Sequence, residues 1–215
     1  MFGYEHFNNE QDFDFTDAVP DRIESDSHQI LPSHTKDMTC LAVSKNWGKR
    51  DDRDVIISGS LDQRVTICKR VGKSWTKQDR HTIAFEHLVF TVALAPDENS
   101  LFVGGGDGGE DLGYLKCYHM DSFKERKDFK GHTAAVFSVA VTSDGEKLVS
   151  GSEDKTIIVW DVESGDKIRT LEGHSSSVRS VAITPDQPIM IVSGSEDNTA
   201  KLWEIGEKQY RDVSV

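Results

Sequence analysis

Residues 131–172 read GHTAAVFSVAVTSDGEKLVSGSEDKTIIVWDVESGDKIRTLE, and residues 173–209 read GHSSSVRSVAITPDQPIMIVSGSEDNTAKLWEIGEKQ. The second stretch is the first over again. His132 and His174 lie 42 positions apart, and Asp154 to Asp197 and Trp160 to Trp203 are each 43; the extra residue falls in the turn around Pro188. A period of this length marks an array in which one supersecondary unit stacks on the next. Within a unit, Val136–Val141, Lys147–Ser150 and Thr156–Trp160 are short β-branched or apolar runs, which suit a pleated surface. Ser143-Asp144-Gly145 and Glu153-Asp154-Lys155 supply turns between them. Glu163-Ser164-Gly165 sets off a fourth strand over Lys167–Leu171. Each repeat therefore reads as a four-stranded antiparallel meander, and the fold class is all-β. The inner strands are apolar on both faces, so each sheet is expected to sit between two similar sheets.

Two weaker copies lie upstream. HTKDMTCLAV from His34 precedes VIISGSLDQRVTIC, where Asp62 to Cys68 has the spacing of Asp154 to Trp160. VFTVALAPDENSLFVGGGDG from Val89 matches VFSVAVTSDGEKLVSGSEDK from Val136, and Tyr118 takes the Trp position after a Gly-rich insertion. That copy has no clean His, because His87 sits two places too close to Val89.

With GH, SGSxD, a Trp and this period together, the chain from about residue 28 onward resembles the WD40-repeat β-propeller family. The resemblance implies blades of a propeller. It also implies that His132, Ser150, Asp154 and Trp160, and again His174, Ser193, Asp197 and Trp203, form hydrogen-bonded structural tetrads. The residue chemistry agrees, since a buried indole N–H needs an acceptor and an Asp can take turn amides and imidazole together. A His, a Ser and an Asp in one network also invite a hydrolase reading, but the Trp link and the repetition favour a structural role. Cys68 and Tyr118 replace Trp in the weak copies, so those tetrads are expected to be broken and those blades less stable.

The resemblance further places partner binding on the face where first strands begin and the Asp turns emerge. The positions expected to be exposed there are Ala135, Phe137 and Glu153, then Ser177, Arg179 and Glu196. Thr39 with Leu61, and Leu88 with Phe90, are their counterparts in the weak copies. Phe137, Arg179 and Phe90 are the strongest anchors, because aromatics and Arg dominate interface hot spots; the alternative for Phe137 is packing inside. In family members that bind a ubiquitin-ligase adaptor, Arg or Lys follows the Trp-Asp pair two residues later. Here those positions are Glu163 and Gly206, which weakens that role.

Composition narrows the function classes. Lys and Arg total 25 against 37 Asp and Glu, a formal charge of -12, so a nucleic-acid backbone would be repelled and no nucleic-acid partner is expected. Cys40, Cys68 and Cys117 are too far apart for a C-x-x-C pair and read as reduced thiols of a cytoplasmic or nuclear protein. No metal and no cofactor is expected. No stretch approaches the roughly 20 apolar residues of a membrane span, and no secretory leader is legible at the N-terminus. Gly104-Gly-Gly-Asp-Gly-Gly109 satisfies G-x-G-x-x-G, yet a strand and not a helix follows it, so it lacks the context of a dinucleotide site. It reads as a turn insertion. The lengthened, mixed-charge turn at residues 46–54 carries Trp47, a candidate contact.

The chain is expected to divide into an acidic segment at residues 1–27, of charge -7, that is disordered or a short acidic-aromatic docking peptide, and a propeller region at 28–215. About 43 residues per repeat gives about four blades, and an open, incomplete propeller is favoured over a closed four-blade ring. HQILPSH resembles the strand and turn with which family rings close on the last blade. The tail from Lys208 to Val215 is an alternative source of that strand. The functional expectation is a non-catalytic protein-interaction scaffold, with a ubiquitin-ligase substrate receptor as the alternative and a propeller enzyme last. Self-association or pairing with a missing propeller segment follows from an open arc.

Overall fold

Strand side chains point alternately to opposite faces, so an apolar run with no polar partner positions must meet a neighbour on each side. The computed structural model describes residues 34–43, 55–71, 74–107, 113–185, 189–204 and 213–214. His34–Val215 is one compact unit. It contains four four-stranded sheets, each an antiparallel meander in chain order. Sheet 1 comprises β1 (Met38–Val43), β2 (Val55–Ser60), β3 (Arg64–Val71) and β4 (Ser74–Ala84). Sheet 2 comprises β5 (Val89–Leu94), β6 (Ser100–Gly105), β7 (Tyr114–His119) and β8 (Glu125–Asp128). Sheet 3 is β9 (Val136–Val141), β10 (Lys147–Ser152), β11 (Ile157–Asp161) and β12 (Lys167–Leu171). Sheet 4 is β13 (Val178–Ile183), β14 (Met190–Ser195), β15 (Ala200–Glu204) and β16 (Val213–Ser214).

The repeat reading locates β9 and β12 to the residue, while β10 runs on through Ser152 and β11 starts one residue later. The C-terminal tail supplies the fourth strand of sheet 4, with Val213 opposite Leu202 and Ser214 opposite Lys201. Gly104 and Gly105 belong to β6 and not to the turn that follows it. The acidic segment at 1–27, the boundary at 28, residues 28–33 of HQILPSH, the 46–54 turn with Trp47, Gly108, Gly109, Pro188 and Gly206 lie outside the described residues.

The core consists of three layers, one in each joint between successive sheets. The first joins Ile57, Val65 and Ile67 of sheet 1 to Val89, Val92, Leu94, Leu101 and Val103 of sheet 2. The second packs Phe102, Leu115, Cys117 and Phe129 against Val136, Leu148, Ile158 and Trp160. The third packs Val149, Ile157 and Val159 against Val178, Val181, Ile191 and Trp203. Successive residues of β10 and β11 thus feed different joints: Leu148 goes to one and Val149 to the next. This is the physical reason why their sequences show no polar face.

The first strands β1, β5, β9 and β13 pack one on the next along the inside of the arc. Each joint works as a knob in a socket. A glycine on the second strand of one sheet receives the leading valine of the next sheet's first strand. A Cβ on Gly59 would stand 2.6 Å from Val89 Cγ1, one on Gly104 2.9 Å from Val136 Cγ1, and one on Gly151 2.7 Å from Val178 Cγ1. Hydrogen bonds tie the same strands together, with Val139 N donating to Thr91 Oγ1 at 3.2 Å and Val181 N to Ser138 Oγ at 3.1 Å. No hydrophobic layer joins sheet 4 back to sheet 1 among the described residues, and Leu41 and Val43 on β1 are 59% and 56% exposed. The four sheets form an open arc.

Because Gly151 has no room for a side chain, Gly151→Val is expected to force Val178 and Val181 outward and destabilise the protein by about 1–3 kcal/mol. Urea unfolding checks this as a lower midpoint at unchanged slope. A variant as stable as the parent would show that the joint has slack.

Candidate functional site

Each strong repeat holds its His, Ser, Asp and Trp in one chain of hydrogen bonds. In sheet 3 the Trp160 indole donates from Nε1 to Ser150 Oγ at 2.8 Å. Ser150 Oγ lies 2.7 Å from His132 Nε2, and His132 Nδ1 lies 2.7 Å from Asp154 Oδ2. With the carboxylate only accepting, Nδ1 carries the imidazole proton and Nε2 accepts from the serine hydroxyl. The same four links recur in sheet 4 through Trp203, Ser193, His174 and Asp197. Asp154 also accepts from the amides of Thr133 and Thr156 and from the Thr156 hydroxyl, which binds the turn after β10 to the loop before β9. Burial acts to raise the Asp154 pKa, but His132 and the Thr156 donors outweigh it and hold the carboxyl at about 2. Thr199, then His174 and two turn amides, likewise hold Asp197 well below the usual carboxylate range against its burial.

Ser150 is 0% exposed and Ser193 1%, and each hydroxyl is occupied by both its imidazole and its indole. A nucleophile needs a free path to substrate, so these serines hold the blades rather than attack. Among the described residues, no group of three or more His, Cys, Asp or Glu side chains is placed to hold a metal ion.

The weaker repeats keep more of the network than their sequences suggest. In sheet 1, His34 bonds Asp62 at 3.1 Å and Ser58 at 2.8 Å, so the His, Ser and Asp of the network are kept, with Cys68 in the Trp register. In sheet 2, His87 does reach Asp107, at 2.6 Å, despite its shortened spacing. That pair is more open, with Val103 standing opposite Val92 where Ser150 stands opposite Val139. Tyr118 occupies the Trp register, and a cavity of about 430 Å³ opens beside it among Phe85, Glu86, His87 and Tyr114. Phe85 stacks on Tyr114 with centroids 5.5 Å apart and meets Tyr118 edge-on at 5.6 Å. Burial pushes the Tyr118 phenol up to about 12, so it stays neutral.

A second set of residues is shaped by backbone irregularity. The pairing of each first strand with its second skips one residue: Thr39 in β1, Phe90 in β5, Phe137 in β9 and Arg179 in β13. A bulged residue leaves the alternation of the strand, and its side chain is re-aimed. Across adjacent sheets the re-aimed side chains meet. Phe90 and Phe137 pack edge to face with centroids 5.1 Å apart, and the Arg179 guanidinium lies 3.8 Å over the Phe137 ring. Arg179 Nε donates to Glu196 Oε1 at 2.7 Å, and this bond holds the Glu196 carboxyl below its ordinary range. The Arg179 and Glu196 side chains are 49% and 44% exposed. Glu153 holds the turn position of Glu196 in the preceding repeat, but its bulge residue is Phe137 instead of Arg. One of its oxygens, Oε2, is enclosed with no hydrogen-bond partner.

The structure thus gathers Phe90, Phe137, Arg179 and Glu196 on one rim, with Phe90 and Phe137 half-buried. Two expectations are corrected. Ala135 is 0% exposed and Ser177 8%. Their carbonyls accept the amides of Glu153 and Glu196 and close the turns, which draws both residues inward. Sequence spacing did not reveal the bulges; the signal is the size contrast of Phe90, Phe137 and Arg179 with the small or β-branched residues on either side.

Since the folded pKa of Asp154 is about 2 against the usual 3.8, the folded state binds fewer protons than the unfolded chain in between. The stability contributed by ionised Asp154 is present above about pH 4 and is lost as pH falls through about 2. Asp154→Asn is therefore expected to cost about 2 kcal/mol at neutral pH, a gap that closes toward pH 2. Urea unfolding of both proteins across this range measures it. A gap that stays constant would place the carboxylate outside the network.

The model of the family described as "WD domain, G-beta repeat" matches residues 123–161 and 165–204, the stretches that carry the two complete tetrads. The guanine nucleotide-binding protein subunit beta of Oryza sativa subsp. japonica is 30% identical over 175 residues, covering 75% of this chain and 42% of the relative. WD repeat-containing protein 18 of Danio rerio is 32% identical over 174 residues, covering 77% of this chain and 38% of the relative. The chain spans less than half the length of these curated relatives. A solved structure described as the crystal structure of RRP9 WD40 repeats superposes with a TM-score of 0.70 at 21% identity, over 85% of this chain and 52% of that one. Residues 123–161 and 165–204 are thus WD repeats, in a chain that is similar to WD-repeat proteins over three quarters of its length and has four sheets of the propeller kind.

Proposed function

We propose that the chain is a non-catalytic protein-interaction scaffold that takes its partner on the rim formed by Phe90, Phe137, Arg179 and Glu196. The observation that carries this reading is the Phe90–Phe137–Arg179 stack, in which three adjacent sheets each contribute their bulged residue to one surface. An aromatic face partly open to water beside a guanidinium has the composition of an interface anchor. The Arg179–Glu196 pair is exposed, so solvent screens it and it adds little to the fold; its value lies in orienting the guanidinium. Ala135 and Ser177 act beneath this rim by shaping its turns.

The reading places the region from residue 28 onward as the binding module and the acidic residues 1–27 as a segment ahead of it. A protein partner is the expectation, and the net charge of -12 disfavours nucleic acid. Cytoplasm or nucleus is the expected location, supported by Cys40, Cys68 and Cys117, none of which forms a disulfide. Burial raises the pKa of Cys40 and Cys117 and keeps them protonated.

The test is partner capture by the whole chain compared with the Phe137→Ala, Arg179→Ala double variant. Recovery of its protein partners should fall about tenfold or more, as for a hot spot worth at least about 1.4 kcal/mol, with the thermal melt nearly unchanged. Recovery equal to the parent would move the site off this rim.

A further inference from the structure

Sheet 2 keeps the outline of the hydrogen-bonded chain but replaces most of its polar members with rings and aliphatic groups. Phe85 stands four residues before Val89, as His132 stands four before Val136. It meets Tyr118 edge-on, as His132 meets Trp160. Val103 takes the place of Ser150, Tyr118 that of Trp160, and Tyr114 that of Thr156, since Leu115 faces Gly104 as Ile157 faces Gly151. A phenol is smaller than an indole, and the cavity of about 430 Å³ opens beside it. Its walls come from the link between β4 and β5 and from β7 and β8, in the joint between sheets 1 and 2 rather than at either end of the arc.

Two features of this cavity point to a ligand. Tyr118 is only 8% exposed, yet its hydroxyl has no hydrogen-bond partner among the described residues. A buried phenol ordinarily finds one, and the Tyr114 hydroxyl does, donating to the Leu88 carbonyl at 3.3 Å. The second feature is charge. Lys116 Nζ donates to Glu125 at 2.9 Å, so that pair is neutral as a whole. Glu86 is exposed and forms no ion pair among the described residues, which leaves one carboxylate over. Aromatic rings, a phenol oxygen and a surplus carboxylate together favour a cation. The volume lies toward the small end of the roughly 300–1,000 Å³ of ligand sites, which suits one side chain better than a cofactor.

We infer that this cavity takes the side chain of a lysine carried by a protein partner, with Tyr118 Oη and the Glu86 carboxylate accepting from its ammonium group and its stem lying along Phe85 and Tyr114. An ammonium is a compact charge with three donors that turn to meet acceptors on different walls, whereas a guanidinium demands a planar pair. The four-carbon stem covers apolar surface while the head stays with its acceptors. An uncharged side chain would leave the Tyr118 hydroxyl unsatisfied and the Glu86 charge uncompensated. The site does not depend on the rim at Phe137 and Arg179.

The experiment titrates the full chain with the peptide acetyl-Gly-Lys-Gly-amide and follows the amide resonances of Glu86, His87 and Tyr114–Tyr118 by nuclear magnetic resonance. The comparison peptide carries norleucine, which has the same stem without the ammonium. Two variants test the acceptors: Tyr118→Phe keeps the ring and removes the hydroxyl, and Glu86→Gln keeps the shape and removes the charge. The lysine peptide should shift these resonances saturably, with a dissociation constant on the order of millimolar. The norleucine peptide should bind at least about tenfold more weakly, and each variant should lose about tenfold in affinity, as for a hydrogen bond to a charged group. Because the Tyr118 hydroxyl bonds nothing in the free protein, Tyr118→Phe should melt no lower than the parent. No saturable shift, equal binding of the norleucine peptide, or variants that bind as the parent does would overturn the inference.

Discussion

A single buried hydroxyl organises each complete blade. Ser150 Oγ accepts the indole proton of Trp160 and faces the imidazole of His132, which hands the link to Asp154 and so to the turn amides. Three elements distant in sequence are fixed at once: the loop before the first strand, the second strand and the third strand. Each polar group in the chain is satisfied by the next, and this is why burying a His, a Ser and an Asp carries no net penalty here, whereas losing one member would leave the others unpaired in a medium of low dielectric. The Trp also does apolar work. Trp160 lies edge-on to Phe129 at 5.7 Å and close against Gly131, so it belongs to the layer between sheets 2 and 3 as much as to its own blade.

Blade and joint are coupled through this arrangement. The hydrogen-bonded chain sets the height of the first strand, and that height brings Val136 and Val178 opposite Gly104 and Gly151. The bulge at the second residue of each first strand then turns Phe90, Phe137 and Arg179 out of the layers and into contact with one another. The rim proposed to bind a partner is a by-product of how the blades stack, and its aromatic spacing is set by the joints and not by any flexible loop.

Much of the architecture was legible in the repeat. The period and the runs in 131–172 placed β9 to β12 almost to the residue, and apolar residues on both strand faces foretold sheets covered on both sides. Position in the motif predicts exposure for Ala135 and Ser177, but their carbonyls are drawn in to cap the turns at Glu153 and Glu196. Spacing alone argues against His87, yet a turn can shorten and still deliver an imidazole to Asp107. The bulges left no periodic trace, because one unpaired residue per strand does not disturb a pattern read over six.

Completeness of the polar chain, more than coverage by neighbours, is held to set how firmly a blade is folded. Sheets 2 and 3 are a controlled comparison, since each has a sheet packed on both sides, but only sheet 3 has its Ser and Trp. Amide hydrogen exchange of the native chain reads the difference directly. Strands β10 and β11 should exchange more slowly than β6 and β7. Equal protection of the two sheets, or slower exchange in sheet 2, would contradict the account and leave the packing layers alone responsible for the fold.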